Sequence, residues 1–303
     1  MNDSEHLGIV EILIGSMLWG TIGLFVLFMD RLGSSASLTA FLRMAFATVI
    51  LFGMTLFHGG IRGLRISKKG LLWSALLGLV CQGLYNVFYN KAIVDTGMTL
   101  GAVLLNVAPL CTMVISHFVF KEKYSVRKWL GIFLCMAGCF ITVTGGSLSW
   151  QTVPVVGIVC GVLSGASYGM TSVFGRLAGD RADVYAMSLY SYLFASLFLL
   201  CFSHAFLWEP WNGSILFLGF LYALIPTALA YILYYRGLQK IRENSRVPVI
   251  ASTETVVAAI IGAVLFHESL SPIQYAGIFL VLFSIALMNG KMFHVKQKGR
   301  IEI

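Results

Sequence analysis

The chain has 303 residues, of which 58% are hydrophobic and only 11% are charged. Soluble globular domains are about 45–50% apolar and about 25% charged, so this composition excludes an ordinary soluble protein and indicates a membrane protein. The formal net charge is +8, but the basic residues are scattered between apolar runs, which argues against a nucleic-acid-binding protein.

Long apolar runs follow one another along the chain, with only short polar connections between them. A helix needs about 20 mostly apolar residues to cross the hydrocarbon core of a bilayer. The sequence therefore predicts an all-α polytopic membrane protein with ten transmembrane helices, called spans 1 to 10 below, and no soluble domain. The predicted bounds are 9–29, 37–57, 70–92, 99–119, 127–145, 153–175, 184–204, 213–236, 246–266 and 272–291.

The lysine and arginine residues alternate regularly between the connections. If the N-terminus is placed in the cytoplasm, every one of the 21 basic residues except Arg31, Arg43 and Lys91 falls in a cytoplasmic segment. Cytoplasmic loops are enriched in Lys and Arg, and a missed or additional helix would break this alternation. The charges therefore predict a multi-pass protein of the cytoplasmic (plasma) membrane, with both termini in the cytoplasm.

The two halves of the chain resemble each other. The segment 120–125, FKEKYS, matches 266–271, FHESLS, at an offset of 146 residues, and the same offset brings two tyrosines of span 3 onto two tyrosines of span 8. We therefore predict a first repeat in residues 1–146, with spans 1–5, and a second repeat in residues 147–303, with spans 6–10 and a cytoplasmic tail. Because five is an odd number, the second repeat must be inserted upside down. Inverted repeats are typical of secondary transporters, whose substrate site lies near the middle of the membrane between the repeats.

Several residues occupy positions that are typical of one family: Trp19 and Gly20 in span 1, Arg43 in span 2, Pro109 in span 4, the turns at Glu122 and Glu268, the glycines Gly131 and Gly277, and Glu254 in span 9. In these residues the chain resembles the drug/metabolite transporter superfamily, in the branch built from two EamA-like repeats, over essentially its whole length. The resemblance implies a central cavity surrounded by spans 1–4 and 6–9, and the export of amino acids or related metabolites. The chain departs from the pattern at Thr255, where proline is frequent, and span 7 has no equivalent of Arg43.

Polar side chains recur at helical spacing in three of the predicted spans. They include Gln82, Tyr85 and Asn86 in span 3, Tyr168 in span 6 and Tyr231 in span 8. A helix surface that faces lipid has no use for such residues, so the stripes indicate one shared polar cavity. Hydrogen bonding between packed helices is the alternative explanation, above all for the serines and threonines of the same stripes.

Two charged residues lie inside predicted spans, Arg43 in span 2 and Glu254 in span 9. An ionisable group at such depth is costly and normally faces a cavity or a partner. Glu254 is the candidate for proton coupling, with the binding of a substrate ammonium group or a structural ion pair as alternatives. Arg43 either stabilises the fold or binds a substrate carboxylate, for which its planar guanidinium is suited. Trp19, followed by a glycine, adds an aromatic gate, a cavity floor or a packing contact.

Together these features predict a secondary active transporter, an exporter by the family resemblance, for a small metabolite such as an amino acid or a derivative. It would work by alternating access, and the sequence has no G-x-x-x-x-G-K-[ST] motif for ATP. The aromatic residues and Glu254 also suit a choline-like quaternary amine, which is the alternative substrate. An intramembrane enzyme, a different class, would need paired catalytic groups in the spans and is disfavoured. We expect no cofactor, no metal and no nucleic acid, but a small-molecule substrate and the lipid bilayer as partners; whether a homodimer forms is left open.

Overall fold

The computed structural model describes residues 3–96, 104–122, 125–145, 154–179, 182–202, 212–265 and 271–289. These residues form α-helices with short π-helical and 3-10 stretches, and this part of the chain contains no strand. Seven helical stretches in it are long and apolar enough to cross a membrane, and two shorter apolar helices accompany them. The predicted all-α polytopic membrane fold is confirmed, while the number of ten spans stays a prediction.

Two helices of the first repeat begin at serine side-chain caps. Ser35 and Ser67 each accept a hydrogen bond from a backbone N–H three residues later, at 3.1 and 3.0 Å, and so satisfy donors that the first turn leaves open. The first helical rod is interrupted at Gly20 and Thr21. The elements are α1 Asp3–Trp19, α2 Ile22–Arg31, α3 Ala36–Gly63, α4 Lys68–Leu76, a first π-helical segment Leu77–Leu84, α5 Tyr85–Thr96, α6 Ala108–Phe120 and α7 Val126–Thr144.

The second repeat follows the same order of helical rods, although its first rod is continuous. A second π-helical segment interrupts its third rod at the place that corresponds to the first one, and a break at Ser252 interrupts its fourth rod. The elements are α8 Val155–Gly179, α9 Val184–Phe202, α10 Gly213–Ala223, the second π-helical segment Leu224–Leu229, α11 Ala230–Lys240, a 3-10 turn Asn244–Arg246, α12 Val247–Ala251, α13 Thr253–Leu265 and α14 Pro272–Asn289.

Helices of one repeat pack mainly on helices of the other. α1 packs along α11, and the corresponding pair is α8 along α5; α3 packs on its counterpart α9, and α7 on α14. A Cβ atom added to Gly20 would lie 3.0 Å from the backbone oxygen of Glu254, and one added to Gly169 would lie 2.7 Å from that of Ala108. Because these glycines correspond in the two repeats, the close contact at the middle of the bundle occurs twice. The packing is therefore that of two related repeats.

One end of the bundle carries most of the basic connections, and we call it the basic face. Glu5 and Glu11, near the start of α1, form ion pairs there with Arg246 at 2.9 Å and with Lys240 at 2.6 Å. Trp19 follows Glu11 by eight residues, which is about 12 Å along a helix at 1.5 Å per residue. The interruption after α1 consequently lies inside the bundle, well away from the basic face.

Candidate substrate cavity

Four aromatic rings meet at the middle of the bundle, and we call them the aromatic cluster: Trp19, Tyr85, Tyr168 and Tyr231. The ring of Trp19 lies 4.7 Å from that of Tyr231 and 6.3 Å from that of Tyr168, measured between centroids. Tyr85 lies 5.7 Å from Tyr168. Trp19 and Tyr168 occupy corresponding positions in the two repeats, and so do Tyr85 and Tyr231. Each half therefore contributes two rings to the cluster. Such offset and edge contacts between aromatic rings are favourable.

A cavity of about 250 Å³ lies against this cluster, between the two repeats. α3 contributes a basic side chain to its wall and α13 an acidic one. The structure thus brings most of the predicted site residues to one cavity; they are Trp19, Arg43, Tyr85, Tyr168, Tyr231 and Glu254. That they bind substrate stays a prediction.

The other two predicted site residues lie beside this cavity. Gln82 is only 1% exposed, and its side-chain oxygen accepts a hydrogen bond from the Tyr231 hydroxyl at 3.5 Å. It supports a ring of the cavity wall from behind. Asn86 lines a second cavity of about 130 Å³, whose wall also contains Arg43 and Asp30. The stripe on span 3 therefore divides between two neighbouring spaces, because the π-helical segment ends between Gln82 and Asn86.

Arg43 is held by neutral groups. Its Nε donates to the Thr227 hydroxyl at 2.9 Å and one Nη donates to the Tyr222 hydroxyl at 3.3 Å. The guanidinium carbon lies 4.9 Å from the centroid of the Tyr222 ring, in a cation–π contact. The residue is 6% exposed, and it forms no ion pair with any carboxylate of the described residues. Its guanidinium is therefore bound directly by neutral groups, while the carboxylates of Asp30 and Glu254 border the two cavities that Arg43 lines.

Tyr222, which contacts Arg43, is a site residue that the sequence pattern does not predict. Thr227 and Tyr231 are four residues apart and share one face of an α-helix. Tyr222 is five residues before Thr227 and would not share that face in a regular α-helix. In the structure the Thr227 hydroxyl donates to the backbone oxygen of Tyr222, five residues earlier, at 3.0 Å. A π-helical turn has one residue more than an α-helical turn, so it places both residues beside Arg43. A proline at position 226, inside a polar stripe, is the sequence signal for such an irregular turn.

Glu254 lies opposite, near the break between α12 and α13. The Tyr168 hydroxyl donates to its Oε2 at 3.1 Å. Its side chain lines both the cavity of about 250 Å³ and a neighbouring cavity of about 200 Å³, and Tyr168 does the same. The carboxylate forms no ion pair within the described part of the chain. The pair of Glu254 and Tyr168 thus forms a partition between two spaces.

The cavity lies on the side of the aromatic cluster that is remote from the basic face. The first helical rod begins at the basic face, and its Val26 lies beyond Trp19. Ala258 lies beyond Glu254 on α13, which runs in the same direction. Both residues line the cavity and both are exposed. Tyr235, which continues from Tyr231 toward the basic face, is fully buried. The cavity consequently extends from the aromatic cluster toward the opposite face, while the side toward the basic face is packed.

A buried carboxylate closes the basic face. The side chain of Glu122 is 8% exposed and accepts hydrogen bonds from the backbone N–H of Asn244 at 2.5 Å and of Ser245 at 3.2 Å, and from the Ser245 hydroxyl at 2.7 Å. Lys128 and Arg176 lie 3.6 and 3.8 Å from its oxygens. Glu122, in the first repeat, thereby holds the turn before α12 in the second repeat. We call these contacts the Glu122 latch. The corresponding Glu268 lies outside the described residues.

A bundle of two related repeats around a central cavity has the architecture of a membrane transporter. A family model described as the EamA-like transporter family matches residues 6–144 and 155–290. The chain therefore belongs to the EamA-like transporter family. The resemblance to this family that the sequence motifs suggest is confirmed.

Individual relatives support the same conclusion. An uncharacterized transporter of Synechocystis sp. is 27% identical over 228 residues, which cover 73% of this chain and 68% of the relative. The uncharacterized transporter YwfM of Bacillus subtilis is 22% identical over 289 residues, 92% of each chain. The uncharacterized inner membrane transporter YicL of Salmonella typhimurium is 22% identical over 296 residues, 94% of this chain and 96% of the relative.

The fold is also that of a solved protein. A crystal structure with 18% sequence identity superposes with a TM-score of 0.78 and covers 93% of this chain and 96% of its own. At this identity the match shows the fold alone. The family and the names of the relatives point to a transporter and not to an enzyme.

Proposed function

We propose that this protein is a secondary active transporter that exports a small amphipathic metabolite, such as an amino acid or a derivative, by alternating access. One observation carries the proposal: the cavity between the repeats lies on one side of the aromatic cluster, whereas the other side is packed and bound by the Glu122 latch. A single site with one closed side is what alternating access requires of each end state. A small cavity with aromatic walls and a few charged groups suits an amphipathic ligand.

The orientation follows from the basic face. Lys and Arg are enriched in cytoplasmic loops, so we place the basic face and both termini in the cytoplasm. The cavity then faces the outside in this structure. The Salmonella relative is described as an inner membrane transporter, which supports the cytoplasmic membrane as the location of this protein too.

We further propose that a proton gradient drives transport and that Glu254 carries the proton. Its carboxylate is within reach of the open cavity, and it is held by one neutral hydroxyl and no cation of the described residues. A carboxyl group that faces one side of the membrane and then the other can take up a proton on one side and release it on the other. An exporter would bring a proton in as the substrate goes out.

Counterflow in liposomes tests the function. Purified protein is reconstituted, the vesicles are loaded with one unlabelled amino acid at a time, and the uptake of the same labelled compound is measured. A transporter accumulates label transiently without any gradient of protons. The Glu254→Gln variant should lose uptake driven by an imposed pH difference, whereas Glu243→Gln, a change at a half-exposed residue of the basic face, should keep it. Failure of every amino acid and amine to exchange would refute the function.

A quaternary amine such as choline is the second candidate substrate. The observation in its favour is the aromatic cluster, whose four rings border the cavity beside a carboxylate, an arrangement that attracts organic cations. Choline should then raise the melting temperature of the purified protein and neutral amino acids should not. The opposite result would support an amino acid.

A further inference from the structure

The turn between α3 and α4 carries a cluster of cations, which we call the basic turn. Its four charged side chains lie within eight residues and are all exposed: Arg62, Arg65, Lys68 and Lys69. The sequence contains no Asp or Glu between Asp30 and Asp95. None of the four cations forms an ion pair with a carboxylate of the described residues. The basic turn thus concentrates positive charge that the described protein groups do not neutralise.

Other cations of the basic face have partners within the protein. Lys128 and Arg176 lie beside Glu122, and Arg236 and Lys240 lie beside Glu11. Like charges that are close together repel each other, so a cluster without counter-charges favours the binding of an anion. The contrast separates the basic turn from the rest of this face.

Apolar side chains protrude next to the cations. Phe57 is 98% exposed and Ile61 is 81% exposed, just before the charged residues. On α4, Leu72 is 57% exposed and lies four residues after Lys68, so the two share one face of the helix. Exposed apolar side chains of this size are unfavourable in water. The surface therefore combines groups that suit an anion with groups that suit hydrocarbon.

The conformation of the turn is fixed by contacts within the protein. Gly60 has a φ of 57°, which glycine adopts readily, and the chain reverses there. As a result Gly63 lies against Thr55, where an added Cβ atom would be 2.9 Å from the backbone oxygen. The Tyr190 hydroxyl of α9 donates to the backbone oxygen of Leu64 at 2.9 Å. The turn is therefore ordered before any ligand binds, which lowers the cost of binding.

We propose that the basic turn binds an anionic phospholipid, whose phosphate is bound by the cations and whose acyl chains contact Phe57 and Ile61. Guanidinium groups match the oxygens of a phosphate, and lysine ammonium groups add point charges. Membrane proteins use basic sites at the ends of transmembrane helices to bind such headgroups. The exposed apolar residues favour a lipid over a soluble phosphate compound. The proposal requires the membrane fold and is independent of the transported substrate.

Lipid titrations in detergent test the proposal on the wild-type protein. The melting temperature is measured against the concentration of phosphatidylglycerol and of phosphatidylcholine with the same acyl chains, which gives an apparent Kd for each. We expect phosphatidylglycerol to bind about 10-fold more tightly or better, since each nearby cation favours an anionic lipid about 5-fold. Equal affinity for the two lipids would overturn the proposal.

Two soluble anions distinguish a lipid site from a general phosphate site. Inorganic phosphate and glycerophosphoglycerol, which is the headgroup without acyl chains, are titrated in the same way. We expect neither to raise the melting temperature at the concentrations at which phosphatidylglycerol does. An equal shift with either compound would refute the lipid as the ligand.

Two sets of four substitutions locate the site. The first set removes the basic turn: Arg62→Gln, Arg65→Gln, Lys68→Gln and Lys69→Gln. The control set removes the same charge from the C-terminal segment, which the sequence predicts on the same face: Lys291→Gln, Lys296→Gln, Lys298→Gln and Arg300→Gln. The preference for phosphatidylglycerol should fall to about 2-fold or less in the first set and stay unchanged in the control set. Equal loss in both sets would attribute the preference to net charge and overturn the site.

Smaller changes keep the test decisive if the first set does not fold. Arg65→Gln alone should weaken phosphatidylglycerol about 5-fold, and Arg65→Lys, which keeps the charge, should retain most of the affinity. Phe57→Ser should weaken both lipids and leave their ratio unchanged, whereas Phe217→Ser, at a 62% exposed residue near the start of α10, should weaken neither. Unchanged affinity in Arg65→Gln would refute binding by the cations, and unchanged affinity in Phe57→Ser would refute the contact with acyl chains.

Discussion

The Glu122 latch allows the strongest prediction, because one lysine provides its control. Lys128 lies 3.6 Å from Glu122, whose side chain is 8% exposed, and also 3.6 Å from Glu243, whose side chain is 47% exposed. Glu122→Gln and Glu243→Gln therefore remove the same charge at the same distance from the same cation. They differ in burial, in the second cation Arg176 that lies 3.8 Å from Glu122, and in the hydrogen bonds that Glu122 accepts from Asn244 and Ser245.

The two variants should differ clearly in stability. Removing one partner of a buried ion pair costs about 3–5 kcal/mol. In addition, the N–H₂ group of a glutamine at position 122 would face the N–H donors and the cations that the carboxylate of Glu122 binds. Glu243 is about half exposed and Lys128 keeps Glu122 as a partner without it, so Glu243→Gln should cost only about 0–1 kcal/mol. With roughly 2–4 °C per kcal/mol, the melting temperature in detergent should fall by about 6 °C or more for Glu122→Gln and by about 4 °C at most for Glu243→Gln.

The latch should also control access from the basic face. Ser172 is buried beneath it and accepts a hydrogen bond from the Asn244 side chain at 3.2 Å. In a variant without the six native cysteines, Ser172→Cys reports entry of a membrane-impermeant thiol reagent from that side. A loss of about 3 kcal/mol from the closed form changes its ratio to the open form roughly 100-fold, so labelling should accelerate strongly with Glu122→Gln.

Three results would refute this reasoning in different ways. Equal melting temperatures of Glu122→Gln and Glu243→Gln would show that burial does not determine the strength of the interaction. A lower melting temperature with unchanged labelling of Ser172→Cys would make Glu122 a helix cap without a role in access. Faster labelling with Glu243→Gln as well would attribute the effect to net charge alone.

Two further predictions concern packing and topology. A Cβ atom on Gly78 would overlap the backbone carbonyl of Ser191, so Gly78→Ala should destabilise the protein by about 1–3 kcal/mol, whereas Gly53→Ala, where nothing lies within 4 Å, should leave the melting temperature unchanged or raised. In a cysteine-free background, Ser214→Cys should react with an impermeant maleimide on intact spheroplasts and Glu243→Cys only after permeabilisation. Reaction of Glu243→Cys on intact cells would reverse the orientation proposed here.

Much of the architecture follows from local sequence features. Apolar runs of about 20 residues predict membrane helices because backbone polar groups in lipid must be satisfied within the helix. The repeated motif around Glu122 predicts the two repeats, because related segments adopt related folds. Arg43 and Glu254 are charges in apolar stretches of sequence, which by itself predicts a cavity.

Several features of the site depend on contacts between distant parts of the chain. The hydrogen bonds of Arg43 reach Thr227 and Tyr222, in the other repeat, and no local pattern identifies Tyr222 because a π-helical turn changes the periodicity. Gln82 lies within the other π-helical segment, and Asn86 lies in the α-helix that follows it. Regular helical spacing is therefore a poor guide at the positions where the helices are irregular.

The sequence by itself thus determined the class of protein, its helices and its repeat, since hydrophobicity and periodicity are properties of short segments. Only the tertiary structure decided that Arg43 and Glu254 border one cavity without meeting, and that Glu122 binds the turn at Asn244 and Ser245. The physical reason is that these distances arise when two repeats pack against each other. A charged residue in a span indicates that an interaction partner is needed. The packing of both repeats decides whether that partner is another side chain or whether a cavity remains for a ligand.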